Sequence, residues 1–308
     1  MRLIALVVVA ALAAGAACDY PFAPGVGDDL AELASRKGEL VGVEDLGLVE
    51  ETPEERFFDL RLSSSSGLEV TARLRVPSGA RAGDGRAGVV LAGGRDTGRD
   101  AVRRLPPGLD ELVISFDYPE LLKEREEKEV IRRTEDYRDA AWEVPAILML
   151  LADYLATRPE VDANRIALVG ASFGGFFAPV AAAADPRFGN VALIYTGAGL
   201  HLLVEQNLKA DVPPAARQLG AELAVLPIQR LEPARYVGRI APRPLLLVNG
   251  LFDDRITRES AEALLDAARP PKEIVWLPTG HLESDSLRLI RELVDTAFAR
   301  LPLLRGTR

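Results

Sequence analysis

Val161-Asp162-Ala163-Asn164-Arg165-Ile166-Ala167-Leu168-Val169-Gly170-Ala171-Ser172-Phe173-Gly174-Gly175 decides how the 308-residue chain is read. Residues Arg165–Val169 read as a buried strand, and a helical pattern with Phe176, Phe177 and Val180 leads out from Gly174. Between them Gly170-Ala171-Ser172-Phe173-Gly174 forms a G-x-S-x-G motif. Alone the pentapeptide is a weak signal, since a serine packed into a tight glycine turn has the same letters. Between a strand and a helix it acquires a mechanical meaning. The serine is then held in a strained, exposed backbone conformation with its hydroxyl at the carboxyl edge of a sheet. Any side chain at 170 or 174 would collide with the sheet or the helix.

Working outward, Gly88–Ala92, Leu112–Phe116, Asn190–Tyr195, Pro244–Asn249 and Glu273–Leu277 are further short apolar runs. Amphipathic stretches separate them, the longest from about Asp136 to Ala156. That is the rhythm of a parallel sheet covered by helices on both faces. Upstream, Phe57–Leu62 and Leu68–Val76 alternate apolar and polar side chains around Ser63-Ser64-Ser65-Ser66-Gly67, which predicts an antiparallel hairpin. From Ala198 to Ala241 the rhythm breaks at Pro213-Pro214, Pro227 and Pro233, and so long an excursion between strands predicts a small helical cap. Lys123–Glu129 is a run of seven charges with i,i+4 pairs of opposite sign, read as a solvated helix. The fold class expected is α/β: a mostly parallel twisted sheet with an N-terminal hairpin, in one domain over 38–308 with the cap inserted at about 198–241.

The opening stretch, with its Asp-x-x-Arg-Ile segment at Asp162–Ile166, resembles the α/β-hydrolase family in its esterase and prolyl-oligopeptidase-like branches, over about residues 57–300. The resemblance implies that Ser172 is the nucleophile of a serine hydrolase. A serine hydroxyl needs a base to take its proton, and only His201 and His281 are available. His281 follows the last strand, where the family keeps its base; His201 falls inside the cap, ahead of the acid, and reads as a cap or pocket residue. A carboxylate must orient the base. Gly250-Leu251-Phe252-Asp253-Asp254 resembles the family's Gly-x-x-Asp loop, which favours Asp253 on spacing and leaves Asp254 as its neighbouring rival. Either aspartate could instead be a solvated loop charge or cap the helix starting near Arg258.

Attack on a carbonyl creates an oxyanion that needs two backbone N–H donors. Phe173, after the nucleophile, supplies one. The second is expected from Ala92-Gly93-Gly94-Arg95, similar to the His-Gly-Gly of many relatives with Ala92 in place of the histidine. Gly94 is the expected donor and Arg95 the alternative. Arg95 and Arg99 read as holders of an acidic substrate group or as solvated charges, and Tyr118 as a pocket wall or a loop-packing aromatic.

Composition narrows the rest. With 48% hydrophobic and 27% charged residues the chain can bury a sizeable core, and its formal charge of −9 argues against nucleic acid as a partner. No metal-ligand cluster or nucleotide-binding motif is present in the sequence, so neither a metal nor a cofactor is expected. After Arg2, the fifteen residues Leu3–Ala17 are apolar or Gly, too short a run for a spanning helix, and read as a signal peptide over 1–17. Ala16-Ala17-Cys18 resembles a bacterial lipoprotein signal, which implies an exported, membrane-anchored protein lipidated at Cys18. Cleavage after Ala16 to a secreted form, or an uncleaved anchor, are the alternatives. Residues 18–37 mix Pro, Gly and charge and read as a tether.

The function expected is cleavage of a small-molecule carboxylic ester through an acyl-enzyme. A peptidase of the prolyl-oligopeptidase type is the runner-up; those relatives usually carry a β-propeller, for which about 70 residues after the signal leave no room. A non-catalytic binding protein on the same fold is the third reading. A histidine base works only when neutral, so turnover is expected to fall on the acid side of neutrality, and a pH–rate profile flat from pH 5 to pH 8 would contradict that assignment.

Overall fold

The apolar runs of the sequence assemble into one nine-stranded sheet in the computed structural model, which describes residues 26–123, 132–207, 213–281 and 286–304. Its strands are β1 Leu40–Glu51, β2 Glu55–Ser64, β3 Glu69–Pro77, β4 Arg86–Ala92, β5 Leu112–Phe116, β6 Val161–Ala171, β7 Phe188–Ile194, β8 Leu245–Gly250 and β9 Lys272–Leu277. They lie in the order β1-β2-β3-β5-β4-β6-β7-β8-β9. The first four are joined antiparallel; from β5 across to β9 every pairing is parallel. The expected hairpin is β2–β3, with Phe57 opposite Arg75 and Leu62 opposite Val70.

Helices α1 Val26–Lys37, α2 Thr134–Thr157, α3 Gly174–Ala184, α4 Leu200–Asn207, α5 Pro214–Val225, α6 Ala234–Val237, α7 Arg258–Ala267 and α8 Leu287–Arg300 accompany the sheet, with a 3-10 helix at Gly98–Arg104. Successive side chains of a strand point to opposite faces, and β4 shows the division. Val90 and Ala92 join the core beneath α2 and α3, with Trp142, Leu148 and Phe177. Val89 and Leu91 face the other way, toward Ala101 of the 3-10 helix and Leu293 and Ala297 of α8. The segment read as a cap holds α4, α5, α6 and a 3-10 helix at Leu226–Leu231.

Two elements differ from expectation. β1 extends the hairpin to a third antiparallel strand that the sequence pattern does not announce: its apolar residues Val41, Val43, Leu46, Leu48 and Val49 are exposed, and its pairing with β2 shifts register at three places. The tether expected over 18–37 is, from Val26 onward, the packed helix α1. Leu33 is fully buried, and buried Asp29 accepts hydrogen bonds from Arg230 Nε (2.9 Å) and the Tyr236 hydroxyl (2.8 Å). Arg230 also lies over the Trp142 ring, 4.3 Å from its centroid, so α1, α2 and the segment after β7 are fastened together. The signal peptide over 1–17, Cys18 and residues 124–129 of the charged run lie outside the described residues.

Removing one partner from a buried ion pair leaves the other without compensation and costs about 3 kcal/mol. Asp29→Ala is therefore expected to lower the unfolding free energy by about that amount in urea titration. A change within ~0.5 kcal/mol, the range of ordinary surface substitutions, would show that α1 is not fastened as described.

Candidate active site

β6 ends at Ala171, and the chain turns sharply into α3 through Ser172 and Phe173. Ser172 has φ +51°, a conformation that L side chains rarely adopt. Its N–H donates to the Ile194 carbonyl of β7 (2.8 Å), and its own carbonyl accepts from Gly175 (2.9 Å). Close packing makes the flanking glycines necessary: a Cβ at Gly174 would run into the Ala92 carbonyl oxygen, and one at Gly170 would meet Ala178 Cβ at 2.6 Å. The turn thus sits wedged between β4 and the start of α3, with the serine side chain projecting from it.

Ser172 Oγ lies 2.9 Å from His281 Nε2. On the far side of the ring, Nδ1 is 2.8 and 3.0 Å from the two carboxylate oxygens of Asp253. Both side chains are withdrawn from solvent, His281 at 7% exposure and Asp253 at 0%. Adjacent parallel strands bring them together. The loop after β8 docks on the loop after β9 through Leu251 N–H to Leu277 O (2.8 Å) and Phe252 N–H to Thr279 O (2.9 Å). Burial alone would raise the Asp253 carboxyl, but the hydrogen bond from His281 and those from the backbone N–H groups of Ile256 and Arg255 outweigh it and hold the group below its ordinary range. With Nδ1–H committed to the carboxylate, Nε2 is left as an acceptor for the serine proton.

The rival residues take other places. Asp254 is exposed. His201 sits on α4, outside the chain of hydrogen bonds from Ser172 to Asp253. Thr257, not an aspartate, caps α7, accepting from Ser260 N–H at 3.2 Å. Arg99 is held by Asp117 (2.8 Å), whereas Arg95 lines the cavity in front of Ser172. Tyr118 is a buried loop-packing aromatic, with its ring against Phe173.

Its hydroxyl has a further consequence. Tyr118 Oη donates to Gly93 O (2.6 Å), and Gly174 N–H donates to the same oxygen (3.1 Å). The N–H of Gly94 belongs to that peptide unit, and in a trans peptide it points opposite to the carbonyl. Fixing Gly93 O inward therefore turns Gly94 N–H away from Tyr118 and α3. Neither Gly94 N–H nor Phe173 N–H donates to another group among the described residues. Both residues line a cavity of about 480 Å³ that opens at Ser172 and His281.

Sequence reasoning missed several supports. Tyr195, also at positive φ (+50°), packs edge-on against His281 with centroids 5.7 Å apart and has its hydroxyl 2.5 Å from Thr279 Oγ1. The Arg255 and Ile256 amides that hold Asp253 leave no side-chain signature. The residues of the cavity wall read only as core.

Residues 146–277 match the prolyl oligopeptidase family. The uncharacterized protein YfhR from Salmonella typhi is 29% identical over 138 residues, which are 44% of this chain and 47% of that protein. The chain thus spans about half the length of this curated relative. Two solved structures are similar over most of both chains. The acetyl xylan esterase from Paenibacillus sp. R4 has a TM-score of 0.65 at 18% identity, covering 89% of this chain and 94% of its own. Acetyl xylan esterase 1 from Thermoanaerobacterium sp. JW/SL YS485 has a TM-score of 0.62 at 16% identity, covering 91% and 93%. At these identities the likeness is one of fold: the chain has the α/β-hydrolase fold.

A carboxyl whose folded pKa is lowered contributes stability that is complete above the unfolded value, about 3.9 for Asp, and is lost as pH falls through the lowered folded value. The difference in urea unfolding free energy between the parent protein and Asp253→Asn should therefore shrink as pH falls below about 5, through the unfolded value and on toward the lowered folded one. A difference constant over that window would contradict the charged, hydrogen-bonded state of Asp253.

Proposed function

We propose that this chain is a serine hydrolase that cleaves a carboxylic ester through an acyl-enzyme. The observation that carries the reading is the unbroken line of hydrogen bonds from Ser172 through His281 to Asp253 at the mouth of the cavity. The match to the prolyl oligopeptidase family over residues 146–277 and the esterase fold neighbours support it.

In this reading Ser172 Oγ attacks the ester carbonyl carbon while His281 Nε2 takes its proton. The carbonyl electron pair moves onto oxygen, and the Phe173 and Gly94 N–H groups receive the oxyanion; one such donor is worth about 3 kcal/mol of barrier. The anion re-forms the carbonyl and expels the alcohol oxygen, which leaves with the proton from Nε2. The acyl group stays on Ser172 until a water, deprotonated by His281, attacks in its turn and the acid is released with the serine restored. Asp253 holds the ring in the tautomer that both halves require and stabilises the imidazolium between them.

Peptide cleavage is the second reading, favoured by the prolyl oligopeptidase match, and it uses the same residues on an amide. A panel of p-nitrophenyl esters and peptide anilides separates the two by which class is turned over. In that panel Ser172→Ala and His281→Ala should each lose turnover by at least about 10⁴-fold, and Asp253→Asn by about 10³- to 10⁴-fold. Asp254→Asn should leave it essentially unchanged. Circular dichroism and urea unfolding would establish that the variants fold. Undiminished turnover in the Ser172 and His281 variants would refute the assignment.

A further inference from the structure

The two faces of the sheet are not equally sealed. Along β4 the exposures run Val89 8%, Val90 0%, Leu91 7%, Ala92 0%, so solvent reaches one face and not the other. On the central strand β6, Leu168 is fully buried while Val169 is only half-buried, although strands flank it on both sides. The cause lies in what covers each face. One carries the 24-residue α2 together with α3. The other is roofed by a seven-residue 3-10 helix and by α8, whose small Ala297 leaves a gap above the strands. The cavity of about 480 Å³ extends from the mouth at Ser172 into this gap. From Ser172 it passes between Val169, Leu91 and Val89 of the sheet and Leu293, Ala297 and Val294 of α8.

Register gives its depth. Val89 stands opposite Ala167, five residues before Ser172, so the space descends roughly 16 Å along the strands at about 3.3 Å per residue. Its walls over that distance are mostly aliphatic, with the ring of Phe298 among them. At the far end are Glu111 and Arg104, beside the start of β5. An apolar cavity of this kind offers water few partners and favours hydrocarbon.

We infer that this space is an acyl-chain tunnel, so that the preferred substrates are esters of medium- to long-chain fatty acids; the inference rests on the ester reading above. Of the two halves of an ester, the acyl half is the one that must occupy it. The alcohol leaves after the first step and the hydrolytic water then enters, so both need the open side at the mouth. The acyl group stays bonded to Ser172 from the first step until the second releases it, and an apolar space next to the nucleophile suits a group that stays.

The test is a series of p-nitrophenyl acetate, butyrate, octanoate and laurate with the full chain. Burying a methylene raises kcat/KM by up to about fourfold, so the values should climb from acetate to octanoate and then level or fall as the tunnel fills. Ala297→Trp, which places a large ring across the passage, should lower the octanoate-to-acetate ratio of kcat/KM at least tenfold. Because a ratio is read, a partial loss of folded enzyme cancels. Hydrolysis of acetate with values flat or falling along the series, or an unchanged ratio in the variant, overturns the tunnel and leaves the ester reading standing. No hydrolysis of any ester, acetate included, overturns both.

Discussion

The backbone of Ser172 is the constraint around which the site is arranged. A non-glycine residue at φ +51° costs about 1–3 kcal/mol, and it persists only where its surroundings determine it. Here they do so from three sides. Ile194 O accepts the serine N–H, Gly174 N–H reaches across to Gly93 O, and two glycines let β4 and α3 approach closer than any side chain would permit. With the serine fixed in this way, its partners have to be delivered to it. The parallel order β4-β6-β7-β8-β9 places the carboxyl ends of five neighbouring strands at one edge, so Gly94, His281 and Asp253 arrive from separate parts of the chain at a common point.

The same economy appears in the supports. Tyr118 holds Gly93 O and so orients the peptide whose N–H is at Gly94. Tyr195 packs against the His281 ring, and two backbone amides after Asp253 hold its carboxylate where the ring can meet it. The positioning therefore rests largely on backbone groups and buried hydroxyls, which hold their geometry without long side chains that would have to be ordered. The side of the sheet away from α2 is less tightly filled, and there the lining of the core and the wall of the cavity are the same residues.

Much of this was legible in the sequence because it follows short-range rules. The glycines around Ser172, the run of apolar strands and the spacing of Asp253 from its strand all lie within a few residues of what they determine. What was not legible depends on distant partners. α1 looked like a tether because its anchor, Arg230, lies 201 residues from Asp29. β1 carries exposed valines and leucines on a shifted register, so it lacks the alternation by which half-buried strands are recognised. Spacing favoured Asp253 but left Asp254 as its rival, and what decides between them is the turn at Arg255 and Ile256, whose amides hold the Asp253 carboxylate. The cavity could not be read at all, since a residue beside a gap and a residue in a filled core have the same hydrophobic pattern.

The central claim is that Ser172 is an activated nucleophile and not a serine packed in a turn. Reacting the folded protein with a fluorophosphonate and mapping the adduct by mass spectrometry tests it most directly, because the reagent needs a serine whose proton has a base to take it. Modification at Ser172 that heat denaturation abolishes is the result predicted. An unmodified Ser172 in protein shown to be folded, or modification elsewhere with Ser172 untouched, would contradict it.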